Sequence, residues 1–151
     1  LCDVFYIGGT KVGTLFGEAV VITEPALKKD FLFMMKQHGA RLAKGRLLGI
    51  QFDALFTDDL YLRISRHAID MAHQIREIFV SAGYPLLFDS PTNQQYPIMP
   101  DEELAILGKN FGYEYWERTD PTHSGVRFCA SWATTQENVD ALRAAVQALK
   151  K

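Results

Sequence analysis

The stretch from Leu60 to Ala82 constrains the fold of this chain more than any other. Apolar residues recur along it at helical spacing, at positions 60, 64, 68, 71, 75, 78 and 79. This spacing predicts one long amphipathic helix with a single buried face, and Gly83 directly after it is a typical C-terminal stop. We therefore divide the chain into residues 1–58, a connecting helix over residues 59–83, and residues 84–151.

The part after this helix has the pattern of a small α+β domain. Apolar and polar residues alternate in two of its segments, which predicts half-buried strands. The polar residues Thr135–Asn138 predict the start of a last amphipathic helix. In chain order the predicted elements are a strand at 84–89, a loop rich in Pro, Asn and Gln at 90–99, a helix from Pro100 to about Asn110, strands at 113–117 and 126–131, and the helix from Thr135.

The part before the long helix begins with two β-rich runs, residues 1–7 and Leu15–Ile22, which flank a glycine-rich segment. They predict two strands joined by a functional turn. Two helices should follow, one at about 26–43 and a buried one at Arg46–Phe56. The first run resembles a buried strand, which needs neighbours on both sides, and no initiator Met precedes it. We therefore expect a longer parent protein whose upstream residues complete the sheet.

Charge and cysteine content argue against several classes of function. A formal charge of -2 gives no support for nucleic-acid or membrane binding, and the apolar runs are shorter than a membrane span. Cys2 and Cys129 stand far apart, and the histidines have no spacing typical of a metal site. We therefore expect a cytoplasmic protein with reduced cysteines, no metal, no nucleic-acid partner and no membrane association.

The glycine-rich segment Gly8–Thr14 contains one lysine, Lys11. A lysine in such a turn has three interpretations: a solvent-exposed surface residue, a phosphate-binding residue, or the amine that binds an aldehyde cofactor. The segment lacks the GxxxxGK[ST] pattern of a P-loop, and no helix follows directly. Spacing alone therefore favours the surface lysine and leaves the other two open.

The residues around Lys11 resemble a known family. Phe5–Gly13, with the sequence FYIGGTKVG, and Leu15–Val21, with LFGEAVV, resemble the lysine segment of threonine aldolases and related β-eliminating lyases. These are fold type I enzymes that use pyridoxal 5'-phosphate (PLP). The resemblance implies an α/β fold, the C-terminal part of a fold type I PLP-dependent transferase-like fold with a small α+β C-terminal domain. Residues 1–58 would then be the end of the PLP-binding large domain.

The resemblance also implies roles for particular residues. Lys11 would bind the PLP aldehyde and act in proton transfer, and Thr10 and Gly13 would face cofactor oxygens, although a turn hydroxyl such as Thr10 also commonly bonds its own backbone. Arg127 would bind the substrate carboxylate, the alternative being a surface salt bridge. Lys44 would approach the cofactor or the neighbouring subunit's site, the alternative being a solvated helix end.

The function implied by the resemblance is a lyase of amino acid metabolism that cleaves a β-hydroxy-α-amino acid, such as threonine, to glycine and an aldehyde. The alternatives are another type I reaction, transamination or β-elimination, or a non-catalytic fragment of such an enzyme. Type I enzymes usually build each site at a dimer interface, so we expect a homodimer. We also expect that an upstream segment of the same protein is needed to complete the site.

Overall fold

The computed structural model describes residues 2–150. The chain divides into two compact units, Leu1–Arg63 and Ile64–Lys151, which are called the first and the second unit below.

The first unit contains a two-stranded antiparallel sheet followed by short helices. In this sheet β1 (Val4–Gly8) pairs with β2 (Glu18–Ile22), so that Val4 lies opposite Ile22 and Gly8 opposite Glu18. The helical segments of this unit are the 3-10 helices Thr10–Val12, Pro25–Lys28 and Thr57–Asp59, and the α-helices α1 (Phe31–Gln37) and α2 (Arg46–Phe56). The predicted bounds of α2 are confirmed, but the prediction that it is buried is wrong, because only Phe52 and Leu55 are buried and Ile50 is 61% exposed.

The prediction of a buried first strand is wrong for the residues described. Val4, Phe5 and Tyr6 on β1 are 45%, 40% and 71% exposed. The cause is that, within residues 2–150, β2 is the only strand that pairs with β1. The apolar side chains of the strand therefore lie on a surface that nothing in this range covers.

Two further predicted bounds in the first unit are wrong, because backbone in the left-handed region interrupts the elements. The predicted helix at 26–43 is split at Asp30, with φ 57°, and α1 ends before Gly39, with φ 70°. The predicted second strand begins only at Glu18, after Gly17 with φ 92°. A residue with positive φ continues neither a right-handed helix nor an ordinary strand.

The second unit packs helices against a four-stranded antiparallel sheet. The elements are α3 (Leu60–Ser81), which begins in the first unit, β3 (Gln94–Gln95), β4 (Ile98–Pro100), α4 (Asp101–Leu107), β5 (Glu114–Arg118), β6 (His123–Cys129) and α5 (Gln136–Ala148). The central strand β6 pairs with β3 and β4 on one edge and with β5 on the other, and β5 has an irregular register between Tyr115 and Glu117.

One hydrophobic core holds the second unit together. The buried face of α3 packs with α4, α5 and the inner side chains of β6. The predicted long helix is therefore confirmed, and Gly83 after it has φ 85°. The predicted start of α5 is also confirmed, because the Thr135 hydroxyl accepts from the Asn138 N–H and the Asn138 side chain accepts from the Thr135 N–H, a reciprocal cap that satisfies two free donors.

The segment between α3 and α4 differs from its prediction. The predicted strand at 84–89 is reduced to an isolated bridge between Leu86 and Pro97, and the predicted loop at 90–99 contains β3 and the start of β4. Proline cannot donate a ladder hydrogen bond, so Pro97 separates two short strands instead of allowing one long strand. The helix α4 ends at Leu107, short of the predicted Asn110.

Within residues 2–150, no helix is both long enough and apolar enough to cross a membrane. The same residues contain no group of three or more His, Cys, Asp and Glu side chains arranged to hold a metal ion.

Candidate functional site

Lys11 lies on a tight turn between β1 and β2. The Gly9 carbonyl accepts hydrogen bonds from the N–H groups of Val12 and Thr14, both at 3.0 Å, and Gly13 closes the turn with φ 102°. Val12 is buried beneath the turn, whereas Lys11 and Thr10 are exposed. The buried Val12 side chain therefore holds the turn in place, and the Lys11 side chain is accessible to solvent. In the part of the chain described, Lys11 forms no ion pair with a carboxylate.

Gly9 and Thr14 pack directly against each other inside this turn. A Cβ atom on Gly9 would lie 2.4 Å from Thr14 Oγ1 and 2.5 Å from Thr14 Cγ2. Thr14 is buried, and its hydroxyl oxygen has no hydrogen-bond partner among the described residues. The close contact requires glycine at position 9 as long as position 14 carries threonine. Sequence reasoning missed Thr14, because its contact depends on the three-dimensional path of the turn.

Replacing Gly9 by alanine is expected to destabilise the chain by about 1–3 kcal/mol, because an added methyl group overlaps the Thr14 side chain. In a Thr14→Ala background the same replacement should cost clearly less, since Oγ1 and Cγ2 are gone. Urea unfolding of the two single variants and the double variant measures both values. Equal costs of Gly9→Ala in the two backgrounds would contradict the contact.

Gln51 on α2 holds the segment that follows the Lys11 turn. Its side-chain oxygen accepts from the Leu15 N–H at 2.7 Å, and its side-chain nitrogen donates to the Phe16 carbonyl at 3.3 Å. Leu48 of the same helix lies so close to Gly17 that a Cβ atom there would be 2.3 Å from its Cδ2. These contacts fix α2 beside the connection between the turn and β2. The sequence prediction did not assign Gln51 any role.

Lys44 lies in the turn immediately before α2. Its side chain is exposed, and its carbonyl accepts from the Leu47 N–H at 3.0 Å. A cleft of about 680 Å³ lies between α1 and the start of α2 and is lined by two other basic residues, Lys36 and Arg41. Lys44 and Lys11 both lie in the first unit.

Arg127 lies on β6 of the second unit. Its Nη1 donates to Gln94 Oε1 at 3.2 Å, and its guanidinium carbon lies 5.7 Å from the centre of the Trp116 ring. Its Nε is buried and has no partner in the range described. Glu114 is opposite Arg127 in the β5–β6 register, yet the ion pairs found among these residues do not include Arg127. The guanidinium is therefore held by neutral groups.

The turn that leads into β6 is fixed by Asp120. The Thr122 N–H and the His123 side chain donate to its carboxylate, at 2.8 Å and 3.0 Å. These hydrogen bonds stabilise the charged form and lower the pKa of Asp120 to about 2. This network orders the start of the strand that carries Arg127.

The chain is similar in sequence and in structure to threonine aldolases. No family model matches the chain. A low specificity L-threonine aldolase from Pseudomonas sp. (strain NCIMB 10558) is 31% identical over 97% of this chain and 42% of its own length. The solved threonine aldolase from Leishmania major is 36% identical, with a TM-score of 0.95 over 99% of this chain and 44% of that one. A structure of SPT with PLP is 14% identical, with a TM-score of 0.67 over 97% of this chain and 39% of that one.

The chain thus spans less than half the length of the relatives it matches. The similarity covers both units and includes the Lys11 turn. The predicted resemblance and the predicted fold class are confirmed by these matches. The chain is a relative of the threonine aldolases, and its fold is that of the C-terminal part of fold type I PLP-dependent enzymes.

Proposed function

We propose that the full-length protein that carries this chain is a PLP-dependent lyase that cleaves a β-hydroxy-α-amino acid such as threonine to glycine and an aldehyde. The observation that carries the proposal is the exposed Lys11, presented by a glycine turn and free of ion pairs within residues 2–150. The relatives named above, which are threonine aldolases, support the reaction class.

The residues present fit PLP. An aldehyde needs a lysine amine that it can reach and that no carboxylate holds in an ion pair. Lys11 is exposed, and within residues 2–150 it forms no ion pair. The exposed Thr10 and the backbone at Gly13 offer polar groups for cofactor oxygens on the same turn. We assign residues 1–58 to the end of the PLP-binding domain, residues 59–83 to a connecting helix and residues 84–151 to the small domain.

The reaction breaks the Cα–Cβ bond of the substrate. The β-hydroxyl loses a proton as it becomes the aldehyde, and Cα gains a proton as the other product becomes glycine. When bound, PLP supplies the electron sink for the bonding pair that stays on Cα. Lys11 would hold the cofactor, and its Nζ would move a proton in the reaction. Arg127 binds the substrate carboxylate, for which a planar cation is well suited.

We propose that the site also needs Lys44, a second subunit and an upstream segment of the polypeptide. Lys44, an exposed cation before α2, is proposed to approach the cofactor or the site of a neighbouring subunit. We further propose that the protein is a cytoplasmic homodimer and that an upstream segment of the same polypeptide completes the site. The many exposed apolar side chains of the first unit, such as Phe33, Ile50 and Leu62, support such contacts.

The test is a product assay on the full-length protein loaded with PLP. Threonine should yield glycine and acetaldehyde in equal amounts, and borohydride reduction followed by peptide mapping should place the cofactor on Lys11. Release of a keto acid instead would indicate transamination, and release of ammonia with a keto acid would indicate β-elimination. A protein that gives no product and no adduct on Lys11 would contradict the enzyme assignment.

A further inference from the structure

The guanidinium of Arg127 has one hydrogen-bond acceptor within residues 2–150, the side-chain oxygen of Gln94. Gln94 is on β3, and the two residues are 33 positions apart in the sequence. Because β3 pairs with β6 antiparallel, with Gln94 opposite Cys129, the Gln94 side chain reaches Arg127 diagonally across the ladder. The position of the guanidinium therefore depends on β3, a strand of only two residues.

The side-chain oxygen of Gln94 accepts two hydrogen bonds. Tyr96 donates its hydroxyl proton to Gln94 Oε1 at 3.0 Å, and Arg127 Nη1 approaches the same oxygen. A guanidinium can only donate hydrogen bonds, so the amide oxygen and not the NH₂ group must face it. The Tyr96 hydroxyl can donate or accept, so the guanidinium, which only donates, is the group that fixes this orientation.

Three aromatic side chains, Tyr96, Trp116 and Phe88, form a cluster next to Gln94 and Arg127. The Tyr96 ring is buried and lies edge-on to Trp116, with centroids 5.0 Å apart, and Phe88 contacts Tyr96 at 4.4 Å. Trp116 in turn lies beneath the Arg127 guanidinium, a favourable position for a cation over an aromatic face. Both Phe88 and Trp116 are about half exposed, so the cluster lies at the surface of the second unit.

We propose that Gln94 is a positioning residue for Arg127, and that its neutrality is what keeps the guanidinium available to a substrate carboxylate. This inference rests on the proposed function, in which Arg127 binds that carboxylate. A glutamate at this position would have nearly the same shape and would also accept from Arg127, but it would neutralise the cation and compete with the ligand. A neutral amide orients the guanidinium and leaves its charge unpaired.

The test measures equilibrium binding of glycine and glycinamide to the PLP-loaded full-length protein by calorimetry. Glycinamide has the same amine but no carboxylate, so the ratio of the two dissociation constants isolates carboxylate recognition. Gln94→Met, which has no strong acceptor, should weaken glycine binding by about tenfold, because a guanidinium that is no longer held in place loses part of its paired contact with the carboxylate. Gln94→Glu should weaken it further, because an internal ion pair then competes with the ligand. Binding of glycinamide should change little in either variant.

Three controls make the outcomes distinguishable. Gln147→Glu adds the same charge on the exposed face of α5 and should leave the ratio unchanged. Thermal melts confirm that each variant is folded, and the near-isosteric Gln94→Glu remains informative if Gln94→Met is unstable. If Arg127→Ala keeps the preference for glycine, the proposed role of Arg127 is wrong. If Arg127→Ala loses that preference but both Gln94 variants keep it, the positioning role of Gln94 is overturned.

Discussion

Replacing Lys11 by alanine should abolish the covalent attachment of PLP to the full-length protein and lower the rate of threonine cleavage by about four orders of magnitude or more. The amine of Lys11 is the group proposed both to hold the cofactor and to move a proton. The fold should be unaffected, because the side chain is exposed and forms no ion pair in the described range. Intact mass after borohydride reduction and turnover with threonine measure the two effects.

Lys29→Ala is the matched control for this prediction. Lys29 is an exposed lysine of the same unit that follows the 3-10 helix Pro25–Lys28, so its replacement removes the same charge at a different place. It should retain both the adduct and the turnover. A Lys11→Ala protein that keeps the adduct mass and full turnover would show that another residue performs the chemistry.

Phe79→Ala should destabilise the second unit by about 3–5 kcal/mol, the usual cost of removing a fully buried aromatic side chain. Phe79 has no exposed surface, and its ring packs against Phe128 on β6, with centroids 4.9 Å apart, and against Tyr84 at 6.0 Å. It therefore joins the long helix to the central strand. Urea unfolding followed by circular dichroism measures the change in the free energy of unfolding.

The neighbouring residue provides the control. Val80 lies next to Phe79 on α3 but is 42% exposed, so Val80→Ala should change the free energy of unfolding by no more than about 0.5 kcal/mol. Similar costs for the two variants would contradict the packing that the structure assigns to α3.

The elements that sequence predicted well are those whose pattern is local and long. The helix α3 has six turns of one repeated apolar spacing, since 22 residues are helical, and α5 has a recognisable cap at Thr135. The predictions that were wrong involve single backbone angles or pairing partners. Asp30 has φ 57° in the middle of a helical pattern. The two short strands on either side of Pro97 form by pairing with β6, a strand far along the chain.

The candidate site could be predicted only in part for the same reason. Lys11 was found because its turn residues are adjacent in the sequence and resemble a known segment. The Arg127 position was also predicted from resemblance, but its supporting residues were not. Gln94 was assigned to a loop, and its contact with Arg127 appears only once β3 pairs with β6. Contacts between distant residues depend on which strands pair, and the periodicity of one strand indicates only which of its faces is buried.

The contact between Gly9 and Thr14 restricts the order in which substitutions can accumulate in the lysine turn. With threonine at position 14, any side chain at position 9 overlaps it, so a change at position 9 is disfavoured while Thr14 remains. A smaller residue at position 14 removes a hydroxyl that has no partner within residues 2–150, together with a buried methyl group, so that step should cost only about 1 kcal/mol. Evolution of this turn would then proceed through position 14 first, and positions 9 and 14 should vary together among related sequences.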